Sequence, residues 1–327
     1  MAILLRHEDV AGLLSTDEVI GAVRGGLVEQ AAGQVQVPPR ITIDSTSGHG
    51  WLRVMPTILN GSRVMGYKAM HATPKVGVRY LVALYDLPSG ELLAQMDADW
   101  LTAQRTAATA AVAADVLANP EIRQAGLIGS GEQAQAILTA MSRVRTLPRV
   151  LVFSPTPANR TRFAGTMSGQ LGITVTAVDS PQAALEGSDL VLSAFRSGTS
   201  PVVQAGWIRP GAHVTAISAV RPEARELEAE VWGKADLVAV DDRAHAFESG
   251  DGTAALDSGN LRREDAAELW ELLGGQRPGR QRAEQITLFK SVGTAAQDLA
   301  IAAAIYRRAQ ERGVGEDVGE FPHIRPV

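Results

Sequence analysis

The chain of 327 residues carries a net charge of −5, has acidic and basic side chains interspersed, and contains no cysteine. That balance excludes the basic surface of a nucleic-acid or polyanion binder. The missing cysteine excludes disulfides, thiolate catalysis and cysteine-ligated metals. An apolar fraction of 45% suits the cores of a soluble protein of about two domains. Residues 1–9 lack the basic start and apolar run of a signal peptide, and the apolar run 299–306 is too short to span a bilayer. The expectation is a soluble, cytoplasmic protein with no membrane or nucleic-acid partner.

Residues 16–30 have the period of an amphipathic helix, with Ser15 or Thr16 as its cap. The runs 37–43 and 50–56 predict strands separated by a Ser/Gly turn. Residues 65–70 and 80–86 continue the strand series, and Leu87-Pro88-Ser89-Gly90 folds the second of these back onto 91–96 as a hairpin. An Ala-rich helix follows over about 99–118, capped by Asp97 or Asp99 and stopped at Asn119-Pro120.

Beyond Pro120 the pattern changes. Strand-like runs at 126–128, 150–153, 173–178, 190–194, 213–217 and 237–240 alternate with helical segments, one opened by Ser180-Pro181. This alternation predicts an α/β fold with a Rossmann-type, doubly wound parallel sheet, preceded by a strand-rich α+β domain. Residues 243–285 are charged and irregular, and read as helices and loops on the sheet's rim. The run Ile286-Thr287-Leu288-Phe289 then leads through Lys290-Ser291-Val292-Gly293 into a final helix over 294–312.

The turn Gly129-Ser130-Gly131-Glu132-Gln133-Ala134 lies between a strand and a helix and opens the alternating series. That is the setting a dinucleotide turn requires: Gly129 for the tight turn, Gly131 for close approach to a pyrophosphate, Ala134 for helix–strand packing. An acidic residue at the end of the next strand, about 20 residues on, favours NAD. Here that strand ends in Ser154-Pro155-Thr156, followed by Asn159, Arg160 and Arg162, with no carboxylate to repel a 2′-phosphate. The expected cofactor is therefore NADP(H), contacted by Ser154, Thr156 and Arg160, with NAD(H) as the alternative. The competing reading leaves Arg160 and Arg162 on a solvated helix face.

Several segments together resemble the ornithine cyclodeaminase/mu-crystallin family. They are Leu52-Arg53-Val54-Met55-Pro56, Gly66-Tyr67-Lys68, Ser89-Gly90-Glu91-Leu92-Leu93-Ala94, Leu101-Thr102-Ala103-Gln104-Arg105-Thr106-Ala107-Ala108, the glycine turn, Arg225-Glu226-Leu227 and Thr287-Leu288-Phe289-Lys290-Ser291-Val292-Gly293. They occur in the family's order along nearly the whole chain. The family includes ornithine and lysine cyclodeaminases, alanine dehydrogenases and ketimine reductases. The resemblance implies a homodimer built through the first domain, with the last helix packing back onto it. The implied division is 1–119 with 300–327 for substrate binding and dimerisation, and 120–299 for the dinucleotide.

In the family, the positions of Arg53, Lys68 and Arg105 bind the α-carboxylate of an amino or imino acid, between that domain and the nicotinamide. A set of cations suits a carboxylate, which Arg grips with paired hydrogen bonds. Lys68 and Arg105 are the expected catalytic residues, with Lys68 moving a proton near the reacting carbon. The competing reading for Arg53 and Lys68 is a solvated strand face. His71 is a candidate for the pocket lining or a plain surface histidine. Thr106 is expected at the cofactor phosphate or as a cap within its helix, and Ser291, Val292 and Gly293 near the nicotinamide. His7, His49, His213, His245 and His323 show no metal-ligand spacing, and no metal is assigned.

One departure bears on the reaction. Cyclodeaminases carry an acid/base aspartate after the fifth strand, and in Ile217-Ser218-Ala219-Val220-Arg221-Pro222-Glu223 that position is Val220, which cannot move a proton. The stretch is closer to the mu-crystallin/ketimine reductase branch, with Glu223 a minor stand-in. The expected function is NAD(P)H-dependent reduction of a small α-imino acid. One alternative is a cyclodeaminase with tightly bound NAD; the other is a crystallin-like, non-catalytic dimer that binds NADPH or another ligand.

Overall fold

The structure, a computed structural model, describes residues 2–73, 75–319 and 321. In chain order the elements are β1 (Ala2–Leu5), α1 (His7–Val10), α2 (Thr16–Ala31), β2 (Val35–Gln36), β3 (Ile41–Asp44), β4 (Trp51–Leu59), β5 (Val64–Thr73), β6 (Gly77–Asp86), β7 (Leu92–Asp97) and α3 (Asp99–Leu117). Next come β8 (Ala125–Ile128), α4 (Glu132–Val144), β9 (Arg149–Phe153), α5 (Pro157–Leu171), β10 (Thr174–Ala177), α6 (Pro181–Leu185), β11 (Leu190–Ser193), β12 (His213–Ala216), α7 (Ala229–Lys234) and β13 (Leu237–Val240). The last are α8 (Arg243–Ala246), α9 (Gly250–Asp257), β14 (Ala267–Glu268), α10 (Leu269–Leu273), β15 (Thr287–Lys290), α11 (Ala295–Arg312) and β16 (Glu316–Gly319). They fall into two compact units, Met1–Arg105 with Thr294–Val327, and Thr106–Gly293. The divisions lie inside α3 and at the Gly293–Thr294 turn, earlier in the chain than 119/120 and 299/300.

The first unit is built on a mixed sheet of order β16-β1-β7-β6-β5-β4-β2, with β3 paired to β4. Residues 37–40 are not strand. Pro38 and Pro39 have no N–H to give a ladder, so pairing to β4 starts only at Ile41. Along β4, β5 and β6, Met55 stands opposite Lys68 and Lys68 opposite Val82, while Arg53 stands opposite Met70 and Met70 opposite Tyr80. Side chains alternate along a strand, so these six residues share one face. α11 lies over β4, β5 and β6 and against α2. Its start is fixed by a reciprocal cap between Thr294 and Gln297, and its end by Gly313 in the left-handed conformation. Leu299, Ile301 and Ile305 on it are fully buried, each contributing roughly 1.5–3 kcal/mol of hydrophobic stabilisation.

The second unit is a parallel sheet of order β10-β9-β8-β11-β12-β15-β13-β14. Successive strands run outward from β8 through β9 to β10, then the chain crosses back to β11 and builds the other way. This is a doubly wound α/β sheet, and the glycine turn leaves β8 where the order reverses. The two-residue edge strand β14 falls in the segment read as irregular, since so short a strand carries no period. No helix of the described residues is long and apolar enough to cross a membrane.

Candidate active site

In the first unit, β5 and α3 bring Lys68 and Arg105 to one acid on α11. Lys68 Nζ donates to Asp298 Oδ1 at 2.9 Å and Arg105 Nε donates to the same oxygen at 3.0 Å. Arg105 Nη1 also reaches Gln297 Oε1 at 3.1 Å, and Lys68 Nζ lies 3.4 Å from Thr102 Oγ1. Lys68 and Asp298 are fully buried and Arg105 nearly so. Burial lowers the Lys68 ammonium to about 8, against the upward pull of Asp298, and the charges of Arg105 and Arg40 push it the same way as burial. Two cations on one carboxylate leave a net positive charge, while Asp298 Oδ2 is buried without a hydrogen-bond partner among the described residues. That oxygen can take a hydrogen-bond donor, and clustered cations suit an anion.

Arg53 lies on the same sheet face, two residues along from the position opposite Lys68. Its Nε donates to Thr42 Oγ1 at 2.8 Å and its guanidinium stacks 5.5 Å from the Trp51 ring. His71 is on the opposite face, across from Leu52 and Arg79. Three residues along a strand reverses the side chain's direction, so His71 does not line the face that carries Lys68. Arg40, passed over in the sequence, lies close enough to depress the Lys68 ammonium. The signal available for it was a lone arginine just after Pro38-Pro39.

In the second unit, the glycine turn has the features of an anion cradle. Gly129 has φ 122°, and a Cβ there would stand 2.0 Å from the Ala194 carbonyl oxygen, so only glycine fits. Gly131 is the N-cap of α4 and offers no side-chain cap, and nothing lies within 4 Å of where its Cβ would be. The first-turn N–H groups of Glu132, Gln133 and Ala134 lack intrahelical acceptors by construction, and a phosphate is such an acceptor. Ser130 Oγ donates to Ser154 Oγ at 2.8 Å, linking this turn to the end of β9. The residues fit a dinucleotide pyrophosphate.

Other expected cofactor contacts are arranged differently. Arg160 is nearly buried, stacks on Phe153, donates to the Ser154 carbonyl at 3.0 Å and binds the exposed Asp179 at 2.5 Å. It is thus not a free guanidinium awaiting a 2′-phosphate. Arg162 pairs with Asn159 on the surface. Thr156 caps α5 without a side-chain hydrogen bond, and Thr106 is buried on α3. The donors of Ser291, Val292 and Gly293 are taken by the buried Asp241. Ser291 Oγ and the Gly293 N–H reach its Oδ2 at 2.6 and 2.9 Å, and the Val292 N–H reaches its Oδ1 at 2.8 Å. Asp241 therefore holds the shape of this turn.

Val220 is 38% exposed on the loop after β12, and Glu223 forms a surface ion pair with Arg221 at 3.2 Å. His213 is a core residue between Thr287 and Thr215, its ring lowered to about 3 chiefly by burial. His7 contacts Asp97, His49 contacts Ser47 and His245 contacts Asp242, whereas His323 lies outside the described residues. Among the described residues no three His, Asp or Glu side chains gather as a metal site requires.

A profile of the ornithine cyclodeaminase/mu-crystallin family matches residues 1–313. The solved Δ1-pyrroline-2-carboxylate reductase of Thermococcus litoralis, in complex with NADH and L-proline, is 35% identical, with a TM-score of 0.91 over 97% of this chain and 100% of that one. An archaeal alanine dehydrogenase, solved as a dimer with bound NAD, is 31% identical with a TM-score of 0.91 over 98% and 99% of the two chains. The mouse ketimine reductase mu-crystallin is 32% identical over 84% of this chain and 85% of its own. The glycine turn, the Lys68–Arg105 cluster and these matches over nearly the full length lead to one assignment: the chain belongs to the ornithine cyclodeaminase/mu-crystallin family.

Proposed function

We propose that the protein is a nicotinamide-dependent oxidoreductase that reduces the C=N bond of a small α-imino acid to the amino acid. The observation that carries this reading is the buried pair Lys68 and Arg105 on a single oxygen of Asp298. Its residual positive charge, with Arg53 on the same face and Arg40 nearby, is suited to one substrate carboxylate. Lys68, lowered to about 8, is mostly protonated at neutral pH yet able to give its proton up, which suits donation to an imine nitrogen. Asp298 Oδ2 is an acceptor for a protonated imine or amine N–H. A reduced nicotinamide, when bound, supplies the hydride. Gly129, Gly131 and the first turn of α4 would hold its pyrophosphate, and the protein's share is orientation and charge.

The substrate is a cyclic imine such as Δ1-pyrroline-2-carboxylate or Δ1-piperideine-2-carboxylate, or the imine of a keto acid and an amine. The absence of a carboxylate at Val220 favours reduction over cyclodeamination. For the cofactor, the sequence favours NADPH. Because Arg160 holds Asp179, we assign the choice between NADPH and NADH to that pair: Arg160 serves a 2′-phosphate only if Asp179 gives way. We also place a homodimer on the outer face of the first unit's sheet. Ile41 and Ile43 are 56% and 61% exposed there, and a groove of about 820 Å³ is lined by Pro56, Ile58, Met65, Tyr67 and Tyr85. A second copy of the chain would bury this apolar surface.

The test is a screen of cyclic imino acids and keto acid–amine pairs with NADPH and NADH, following cofactor oxidation. Stoichiometric oxidation with an imine is the expected result. Ammonia release from ornithine or lysine without net cofactor oxidation would instead establish a cyclodeaminase, and binding of NADPH without either reaction a non-catalytic dimer.

A further inference from the structure

The second unit buries a charged cluster that the proposed chemistry does not use. Glu226, Asp251 and Lys290 are all fully buried. Lys290, the last residue of β15, donates to Glu226 Oε1 and, at 3.1 Å, to Asp251 Oδ2. Glu226 Oε1 also accepts the N–H groups of Ser218 and Ala219, each at 3.0 Å, directly after β12. Its other oxygen accepts from Ser193 Oγ at 2.6 Å, at the end of β11. Asp251 Oδ1 accepts the N–H groups of Glu226 and Leu227 at 2.9 and 3.1 Å and pairs with Arg225 Nε at 3.4 Å. Burial alone would lower the Lys290 ammonium, but the two carboxylates outweigh it and hold it above its usual range.

The backbone is shaped to bring Asp251 there. A Cβ at Gly250 would lie 2.4 Å from the Ala224 carbonyl oxygen, and one at Gly252 would lie 2.0 Å from that of Ala246. Gly250 lets the first turn of α9 press against the loop that follows β12, and Gly252 lets it press against the end of α8. The Gly250 N–H donates to the Arg221 carbonyl at 3.0 Å. The loop is therefore tied at Ser218 and Ala219 on one side of Val220 and at Arg221 on the other.

We infer that Glu226, clamped by Lys290 and Asp251, is a positioning residue that fixes the sheet rim beneath the nicotinamide half of the cofactor. The inference rests on the proposed nicotinamide-dependent function. β11, β12 and β15 are neighbours in the sheet, and the single Glu226 carboxylate draws on the carboxyl end of each. In a doubly wound sheet a dinucleotide lies across these ends at the reversal point, with one mononucleotide on each side. Here β8 and β9, with the glycine turn, take the adenosine side, leaving β11, β12 and β15 under the other half. Apolar side chains can replace a buried ion cluster with little loss of stability, so its presence is better accounted for by the geometry it fixes.

Binding of NADH and of ADP-ribose, which lacks the nicotinamide, to the full-length protein tests this. In Glu226→Gln, NADH affinity should fall by about tenfold, the equivalent of one lost charged hydrogen bond, while ADP-ribose affinity is retained. Ser193→Ala removes one hydrogen bond and keeps the charges, so it should fold normally and move the ratio the same way by less. A purely structural cluster would leave the ratio of the two affinities unchanged. Equal weakening of both ligands, or no change in either, in the folded Ser193→Ala and Glu226→Gln proteins would overturn the inference. Wild-type protein that bound neither ligand would overturn the cofactor reading itself, and this inference with it.

Discussion

Lys68 Nζ lies 2.9 Å from Asp298 Oδ1, a contact between residues 230 positions apart in the chain. Both side chains are fully buried, so each charge depends on the other and on Arg105. If Lys68 is the proton donor, only its charged form is competent, and that form declines as pH rises through about 8. Imine reduction should therefore show a basic limb near that pH. Lys68→Met should lower kcat/KM by about a hundredfold or more and leave dinucleotide binding in place. Reduction near the wild-type rate in this variant would remove Lys68 from the role assigned to it.

The Asp298 carboxylate raises the Lys68 ammonium against burial. Asp298→Asn keeps the shape but removes that support, so the basic limb of the pH profile should move to lower pH. It also leaves two buried cations without their anion, a change that typically costs about 3–5 kcal/mol of stability. Denaturant unfolding and a pH–rate profile on the same variant check both effects.

Asp298 also marks where sequence reading ran out. The helix that carries it was legible as the final helix after Lys290-Ser291-Val292-Gly293, but nothing local tells a buried acid on such a helix from a solvated one. Glu226, Asp251 and Lys290 were hidden in the same way, since each is explained only by partners on other elements. The parallel sheet was legible because each strand is a short apolar run between helical segments. The glycine turn was legible because its conformation needs particular residues in a particular order. For His71 the sequence left pocket lining and a plain surface position open, because only the strand's alternation, seen in β5, turns it away from Lys68 and into solvent.

Asp179 is 95% exposed at the side chain and binds the almost buried Arg160 at 2.5 Å. A 2′-phosphate brought to this position meets the aspartate's charge and must compete with it for the guanidinium. Asp179→Asn should raise the ratio of kcat/KM with NADPH to that with NADH several-fold, mostly through KM for NADPH. An unchanged ratio would mean that Arg160 does not meet the cofactor's ribose.

The outer sheet face gives a separate prediction. Ile43 is 61% exposed beside Leu52 at 43%, its partner across β3 and β4. Placing a charge at the centre of an apolar interface opposes association. Ile43→Arg should convert the proposed dimer to a monomer in light scattering coupled to size exclusion. In the monomer, the thermal unfolding midpoint should become independent of protein concentration. A wild-type protein that is monomeric would remove this face from the assembly.

The two glycines of the β8–α4 turn separate folding from binding. Gly129 needs φ 122°, and any Cβ there meets the Ala194 carbonyl at 2.0 Å. Gly129→Ala should therefore displace the turn and destabilise the protein by about 3 kcal/mol, through strain and clash together. Gly131 has φ −89°, which any residue adopts, and a Cβ there meets nothing within 4 Å. Gly131→Ala should leave the unfolding midpoint unchanged. Its methyl group would, however, stand before the first-turn N–H groups of α4, where a pyrophosphate must approach closely. Dinucleotide affinity should fall sharply in this variant while the fold stays intact. Full affinity in Gly131→Ala would place the cofactor phosphates somewhere other than this helix end.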